Sequence, residues 1–158
     1  MAAFATTADE SGERVLASRI ATAPQLAAPE AAQKRLDAWL ADLDGQPDGV
    51  TLRRLFAAHP QVRALILGLA DGSPHLWDLA SADPARLVRV LESDPEARFD
   101  ALLADTVAAI SSTRDEAYVM QLLRRMKAEA SLLIALADIG GVWPVMRVTD
   151  QVNAALAK

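Results

Sequence analysis

The sequence predicts an all-α protein, an irregular bundle of about seven or eight helices around a long central helix at about residues 114–139. Apolar residues make up 52% of the 158 residues, but aromatic residues only 4%. Much of the apolar content is alanine, which favours helices and is depleted in strands. Apolar residues recur three and four positions apart, and no run alternates apolar and polar residues as a half-buried strand does.

Charge and composition exclude several classes of protein. The formal net charge is −5 and cysteine is absent. An acidic chain without a basic stripe is not expected to bind nucleic acid, and thiolate metal sites and disulfides are excluded. The first 15 residues lack the basic start of a signal peptide, and the longest apolar run, residues 130–139, is too short to cross a bilayer. We therefore expect a soluble, cytoplasmic protein that does not engage a membrane.

The N-terminal half divides into an arm and a series of helices. Residues 1–28 predict a loosely ordered arm with at most a short helix near residues 15–20, and residues 29–158 predict a helical domain. Helical spacing predicts a helix over 30–43, a second ending near residue 59 and a third from 62 to 69. Residues 44–49 predict a loop. The expected inward residues are Leu36, Trp39, Leu40, Leu43, Leu52, Leu55, Phe56, Val62, Leu65, Ile66 and Leu69.

Two Asp-Pro pairs predict the next helix starts. In Asp83-Pro84 and Asp94-Pro95 the aspartate can cap the helix, and proline suits the first helical position because no partner for its missing N–H is needed there. These pairs predict helices over about 84–92 and 95–110. The second should turn inward Phe99, Leu102, Leu103, Val107 and Ile110.

The long helix is predicted from its capping residues and its apolar pattern. Thr113 and Glu116 fit a capping box, and Gly140 fits the left-handed position after the last turn, with Gly141 allowing a sharp turn. The expected inward stripe comprises Met120, Leu123, Lys127, Ala130, Ile134 and Ala137, widened by Leu122, Met126, Leu133 and Leu136. A last helix is predicted with Val148, Val152, Ala155 and Leu156 on one face.

Few residues suggest chemistry. Glycine-rich nucleotide-binding loops are absent from the sequence, and His59 and His75 are better explained as ordinary surface or capping residues than as metal ligands. The acids of residues 42–48 have the wrong spacing for a calcium loop, which favours a solvated helix end. No catalytic, cofactor-binding or metal-binding residue is predicted.

The basic group Arg124, Arg125 and Lys127 has two interpretations. It is either a contact for a phosphate or an acidic partner, or the solvated face of a helix, and we favour the solvated face.

Five other residues are predicted to be structural: Trp77, Asp138, Gly140, Gly141 and Trp143. The helix dipole disfavours an acid near a helix C-terminus, so Asp138 is expected to have a partner, either an arginine or the N–H groups of residues 140–143. The two tryptophans are expected to fill the core.

Three sequence elements together resemble one family. They are Ser-Pro-x-Leu-Trp at 73–77, Leu-Arg-Arg-x-Lys at 123–127 and Ala-Asp-Ile-Gly-Gly-Val-Trp at 137–143. Over about residues 30–158 the chain resembles the N-terminal helical region of the bacterial bifunctional glutamine synthetase adenylyltransferase/adenylyl-removing enzymes, of the α-proteobacterial type.

The resemblance implies a role in nitrogen regulation. Enzymes of this family transfer AMP from ATP to a tyrosine of glutamine synthetase and remove it with phosphate, under the control of a PII signalling protein and glutamine. Their helical region precedes a nucleotidyltransferase domain in which an Asp-x-Asp holds magnesium. The resemblance thus implies ATP and magnesium for the full-length enzyme, and glutamine synthetase and PII as partners.

The family's catalytic residues have no counterpart in this sequence. Asp42-Leu43-Asp44 ends a helix and precedes the Gly72-Ser73 pair, so it does not match the metal-binding motif. We therefore expect a fragment of the adenylyl-removing half that serves as a scaffold and is inactive alone, its nucleotidyltransferase domain being absent from this chain. The alternative is a free-standing helical protein-interaction module that uses the face of residues 124–127.

Overall fold

The computed structural model describes residues 14–143, which form eight α-helices and no strand. The all-α prediction is confirmed. The helices are α1 Leu16–Arg19, α2 Pro29–Asp42, α3 Pro47–Ala58, α4 Pro60–Gly72, α5 Pro74–Ala82, α6 Pro84–Leu91, α7 Pro95–Ser111 and α8 Glu116–Ile139.

Proline opens six of these eight helices, α2 to α7. Its fixed φ is already helical, and its missing N–H falls where a helix has no internal acceptor to offer. Aspartate caps three helices. The carboxylates of Asp83, Asp94 and Asp115 accept backbone N–H groups in the first turns of α6, α7 and α8. The two helix starts predicted from Asp-Pro pairs are confirmed.

Helices α3 to α6 are joined by three corners of one residue each. His59, Ser73 and Asp83 share one backbone conformation, with φ between −140 and −128 and ψ between 85 and 89. A residue before proline is pushed away from the helical region, so each corner ends one helix and starts the next. Each of these helices packs on the next, and α6 also packs on α3. The four helices therefore close into a compact group.

The apolar core lies around this group. Helix α4 is its most buried element, packing against α2, α3 and α5, and α6 contacts α1, α3, α5 and α8. The long helix joins the core through its second half, where Leu132, Leu133, Leu136 and Ala137 are fully buried. Its first half lies against α7 in a helical hairpin. Burial of such leucine side chains contributes roughly 1.5–3 kcal/mol each to stability.

Residues 14–28, predicted as part of a loosely ordered arm, pack on the core, and the short helix expected near residues 15–20 is α1. Leu16, Ala17 and Ile20 are buried in the core. The carboxylate of Asp71 accepts the N–H groups of Ala27 and Ala28, which lowers the pKa of Asp71. Periodicity could not predict the packing of residues 20–28, because this part of the segment is not helical. Residues 1–13 lie outside the described residues.

Two further boundaries differ from the predictions. The loop predicted over 44–49 ends at Gln46, because Pro47 starts α3 and the amide of Val50 already donates to the Gln46 carbonyl. Helix α5 was not predicted, since its apolar residues are too few to show a period. The last predicted helix, with Val148 to Leu156, lies outside the described residues.

The two ends of α8 also differ from the predictions. Its N-cap is Asp115, and the Thr113 hydroxyl instead accepts the Asp115 N–H, so the capping box does not form. The Asp115 carboxylate accepts the N–H groups of the first turn in place of the threonine hydroxyl. Gly140 has φ −74, and the left-handed residue is Gly141, with φ 73. The helical conformation thus extends one residue further than predicted.

The inward stripe predicted for α8 is wrong in its first half. Met120 and Leu123 are 50% and 37% exposed, and Lys127 is exposed. On α7, Val107 was expected inside but is 63% exposed. Beyond about residue 105, no third helix among residues 14–143 packs over the α7–α8 hairpin, and the apolar residues there are exposed within that range.

Candidate functional site: an arginine-lined cleft

A polar cleft lies between three of the described helices, α6, α7 and α8. Its volume is about 240 Å³. Leu102, Leu122 and Met126 supply apolar wall, and the remaining lining is polar or charged. Those polar residues are Asp83, Arg86, Arg89, Arg98, Thr106, Arg125 and Glu129.

Glu129 is the buried charge of this cleft, with 3% of its side chain exposed. Its Oε1 accepts from Nε of Arg89 at 2.8 Å and from Nη2 at 2.5 Å. Its Oε2 accepts from Nε of Arg98 at 2.6 Å, with Nη2 of Arg98 at 2.5 Å. Each oxygen is thus held by one guanidinium group, Oε1 by Arg89 and Oε2 by Arg98, in charge-assisted contacts. The carboxylate links α8 to α6 and α7.

The other two arginines are less strongly paired. The Arg86 Nη2 lies 3.6 Å from the Asp83 carboxylate, and the Arg86 side chain is only 15% exposed. Arg125 is exposed, and it has no ion pair with any residue of 14–143. Four guanidinium groups therefore face two carboxylates, which leaves two positive charges on a chain whose formal net charge is −5.

The structure divides the basic group predicted on α8. Arg125 shares the cleft face with Leu122, Met126 and Glu129, while Arg124 and Lys127 are exposed and outside the cleft lining. Successive helical residues point about 100° apart, so Arg125 can line the cleft while its neighbour Arg124 points away from it. Glu129, one turn after Arg125, is buried and pairs with Arg89 and Arg98.

Sequence reasoning missed Arg86, Arg89, Arg98 and Glu129. The three arginines lie in the two helices that the Asp-Pro pairs predicted. Arg86 and Arg98 are within four residues of their capping aspartates. Residues 86 and 89 are also three apart, so they lie on one helix face. Their convergence on one glutamate depends on how the helices pack, which the spacing alone does not give.

A second polar cluster, at Glu96, connects both ends of the described chain. Arg19 donates to Glu96 through Nη1 at 2.7 Å and Nη2 at 2.8 Å, and Trp143 donates through its indole Nε1 at 3.0 Å. Arg19 first, and then Trp143, hold the pKa of Glu96 well below its usual range. The same contact raises the pKa of Arg19.

The turn after α8 is attached to the same region. The Gly140 carbonyl accepts the N–H groups of Ala21 and Thr22, and the Thr22 hydroxyl donates to the Ile139 carbonyl at 2.6 Å. Gly141 packs against Thr22, where an added Cβ would meet the hydroxyl oxygen at 3.0 Å. This cluster and turn are structural, since their donors and acceptors are occupied by one another.

The remaining predicted structural residues have clear positions. Trp143 is 1% exposed and meets Phe99 edge to face at 6.3 Å between ring centroids. Trp77 is half-buried and meets Trp39 in the same manner at 5.5 Å.

The partner expected for the Asp138 carboxylate is not found among residues 14–143, where this side chain is exposed and makes no hydrogen bond. Water can solvate it there, so no partner is needed.

Residues 14–143 contain no group of three histidine or acidic side chains placed to hold a metal ion. Within the same range, none of the helices has the length and apolar character needed to cross a membrane.

Comparison with known proteins identifies one family. Residues 62–158 match the family described as glutamate-ammonia ligase adenylyltransferase. Among curated proteins, the chain is similar to bifunctional glutamine synthetase adenylyltransferase/adenylyl-removing enzymes. One from Rhodopseudomonas palustris is 54% identical over 135 residues, covering 85% of this chain and 14% of the relative.

Two other relatives carry the same description. One from Bradyrhizobium diazoefficiens is 50% identical over 90% of this chain and 14% of its own length, and one from Xanthobacter autotrophicus is 42% identical over 94% and 15%. The chain thus spans about one seventh of the length of these relatives. No solved structure matches it.

Proposed function

The chain belongs to the glutamate-ammonia ligase adenylyltransferase family, and from this premise we propose that it is the helical scaffold of a bifunctional adenylyltransferase/adenylyl-removing enzyme. In this role it supports AMP transfer to glutamine synthetase and the phosphorolytic removal of that AMP. The observation that carries the proposal is the 54% identity over 85% of the chain to an enzyme of that description.

A scaffold role is supported by how two acids of the described residues, Glu96 and Glu129, are used. Both oxygens of Glu129 are held by arginines, and Glu96 is held by Arg19 and Trp143. Carboxylates occupied in this way are not available as ligands for the magnesium that bridges nucleotide phosphates. We therefore propose that ATP and magnesium bind in a nucleotidyltransferase domain supplied by the longer enzyme, in the cytoplasm, with glutamine synthetase and PII as partners.

An exchange of segments tests this role. The part of the Rhodopseudomonas enzyme that matches this chain is replaced by this chain, and AMP transfer to glutamine synthetase and its removal are both measured with ATP and magnesium. The exchange should retain both activities. Deleting the segment should reduce adenylyl removal more than transfer, since we assign the scaffold to the adenylyl-removing half. If the deletion leaves both rates unchanged, the scaffold proposal fails.

The isolated chain provides a second test. Titration calorimetry at micromolar ATP with magnesium should show no binding, and glutamine synthetase mixed with the chain alone should gain no AMP. Micromolar ATP binding by the isolated chain would show that it carries a nucleotide site of its own.

A second candidate role, a free-standing protein-interaction module, is favoured by one surface. Met120, Leu123, Arg124 and Lys127 lie three and four residues apart on α8 and form an exposed stripe that is half apolar and half basic. The two roles differ in the stability expected of the isolated chain. A monodisperse chain with a cooperative thermal melt indicates an autonomous module, whereas aggregation with a broad melt indicates that the rest of the enzyme must cover this surface.

A further inference from the structure

We propose that the arginine-lined cleft between α6, α7 and α8 binds a small dianion of the phosphate or dicarboxylate class. Four guanidinium groups line the cleft and two carboxylates, Asp83 and Glu129, face them. The surplus of two positive charges lies in a concave, partly apolar site, where the field is less screened than on an open surface. A ligand with two negative charges neutralises that surplus.

The donors left over by the internal ion pairs support this assignment. Glu129 engages Nε and Nη2 of both Arg89 and Arg98, so Nη1 of each remains available. Arg125 makes no ion pair with the described residues and offers its whole guanidinium fork. Glu129 thereby acts as a positioning residue, because it fixes two guanidinium groups of the cleft lining. Arginine held in this way suits the planar, bidentate recognition of phosphate and carboxylate.

The volume of the cleft and its apolar lining indicate which dianions fit. A volume of about 240 Å³ admits a small molecule and leaves room beyond a single phosphate group. Leu102, Leu122 and Met126 supply an apolar wall beside the charges. A cleft of this size and lining fits an anion with a short carbon chain, such as a dicarboxylate. It also has room for inorganic phosphate together with water.

Titration calorimetry of the 158-residue chain at low salt tests the proposal, with inorganic phosphate, sulfate and succinate as probes and acetate as the monoanion. We expect saturable binding of at least one dianion, and weaker binding of acetate. The order of phosphate and succinate affinities distinguishes a phosphate site from a dicarboxylate site. The proposal is overturned if none of the dianions binds at about 10 mM, a concentration that still detects a millimolar affinity.

A matched pair of variants locates the binding. Arg125→Gln removes the unpaired guanidinium of the cleft, and Arg124→Gln makes the same charge change one residue away, outside the cleft lining. Neither change breaks an ion pair within residues 14–143, so both variants should fold. Arg125→Gln should weaken binding about tenfold, the loss typical of a charge-assisted hydrogen bond, while Arg124→Gln should leave it within about twofold. Equal weakening in the two variants would show that the anion responds only to the general charge of α8.

The anion test is independent of the family role. Calorimetry of Arg125→Gln measures anion binding in the cleft alone, whereas the segment exchange measures activity on glutamine synthetase. Either result can stand when the other fails.

Discussion

Replacing Glu129 by glutamine should destabilise the fold strongly, although the two side chains have nearly the same shape. The change removes the negative charge from a side chain that is 3% exposed and contacts Arg89 and Arg98 through both oxygens. Glutamine presents an amide group where one oxygen accepted two N–H donors, so one guanidinium then faces donors. The two arginines keep their charges in the absence of the group that neutralised them.

The magnitude follows from the burial of the three partners. Breaking a buried ion pair by removing one partner typically costs about 3–5 kcal/mol. The Arg98 side chain is 23% exposed, but that of Arg89 is 45% exposed. Water can therefore solvate the Arg89 guanidinium in the Glu129→Gln variant. We therefore expect a loss near the low end, about 3 kcal/mol of unfolding free energy. For a chain of this length, that loss lowers the melting temperature by about 6–12 °C.

Urea unfolding followed by circular dichroism measures this loss, with Glu92→Gln as the control. The Glu92–Arg54 pair is longer, at 3.5 Å, and its side chains are 43% and 69% exposed. Such surface pairs contribute less than about 1 kcal/mol. If Glu129→Gln costs no more than Glu92→Gln, the buried carboxylate does not hold the three helices together and the description of the cleft is incorrect.

Three further predictions follow from the core, the turn and the Glu96 cluster. The pKa of Glu96 is lowered in the fold, so its contribution to stability is present at neutral pH and is lost progressively as the pH falls below about 4–5. Glu96→Gln should therefore destabilise the chain at pH 7 and match the wild type more closely in acid. Urea midpoints at both pH values measure this difference. Leu133→Asp should cost more than about 4 kcal/mol because it buries an unpaired charge; Leu123→Asp, at a site 37% exposed, should cost far less in the same thermal melts. Gly141→Ala should lose about 1 kcal/mol at its positive φ. By contrast, Gly72→Ala, where an added Cβ meets no atom within 4 Å, should be neutral or slightly stabilising, and unchanged melting of Gly141→Ala would contradict the assigned turn.

Helix positions were largely predictable from the sequence because their signals are local. Asp83-Pro84 and Asp94-Pro95 predicted two helix starts correctly, and the spacing of Leu36 and Leu40 predicted α2. Predictions failed where a contact distant in sequence decides the outcome. After α1, residues 20–28 pack without helical structure, with Pro24 lying on Gly68 of α4, and no periodicity reports such packing.

The cleft was less predictable for the same reason. Arg125 was identified as part of a basic group, but its separation from Arg124 and Lys127 depends on the face that α8 presents to α6 and α7. The partners of Glu129 lie 31 and 40 residues earlier in the chain. Their convergence is a property of helix packing, and the charge pattern of one helix cannot show it.

The three one-residue corners have a consequence for the lengths that this region tolerates in evolution and in engineering. His59, Ser73 and Asp83 each form a whole connection, with proline immediately after it. One residue inserted at such a corner changes the direction and rotation of the following helix, and α6 then no longer meets α3. Insertions and deletions should therefore be excluded from residues 58–84 and accumulate instead near residues 112–115, where an exposed loop joins α7 to α8.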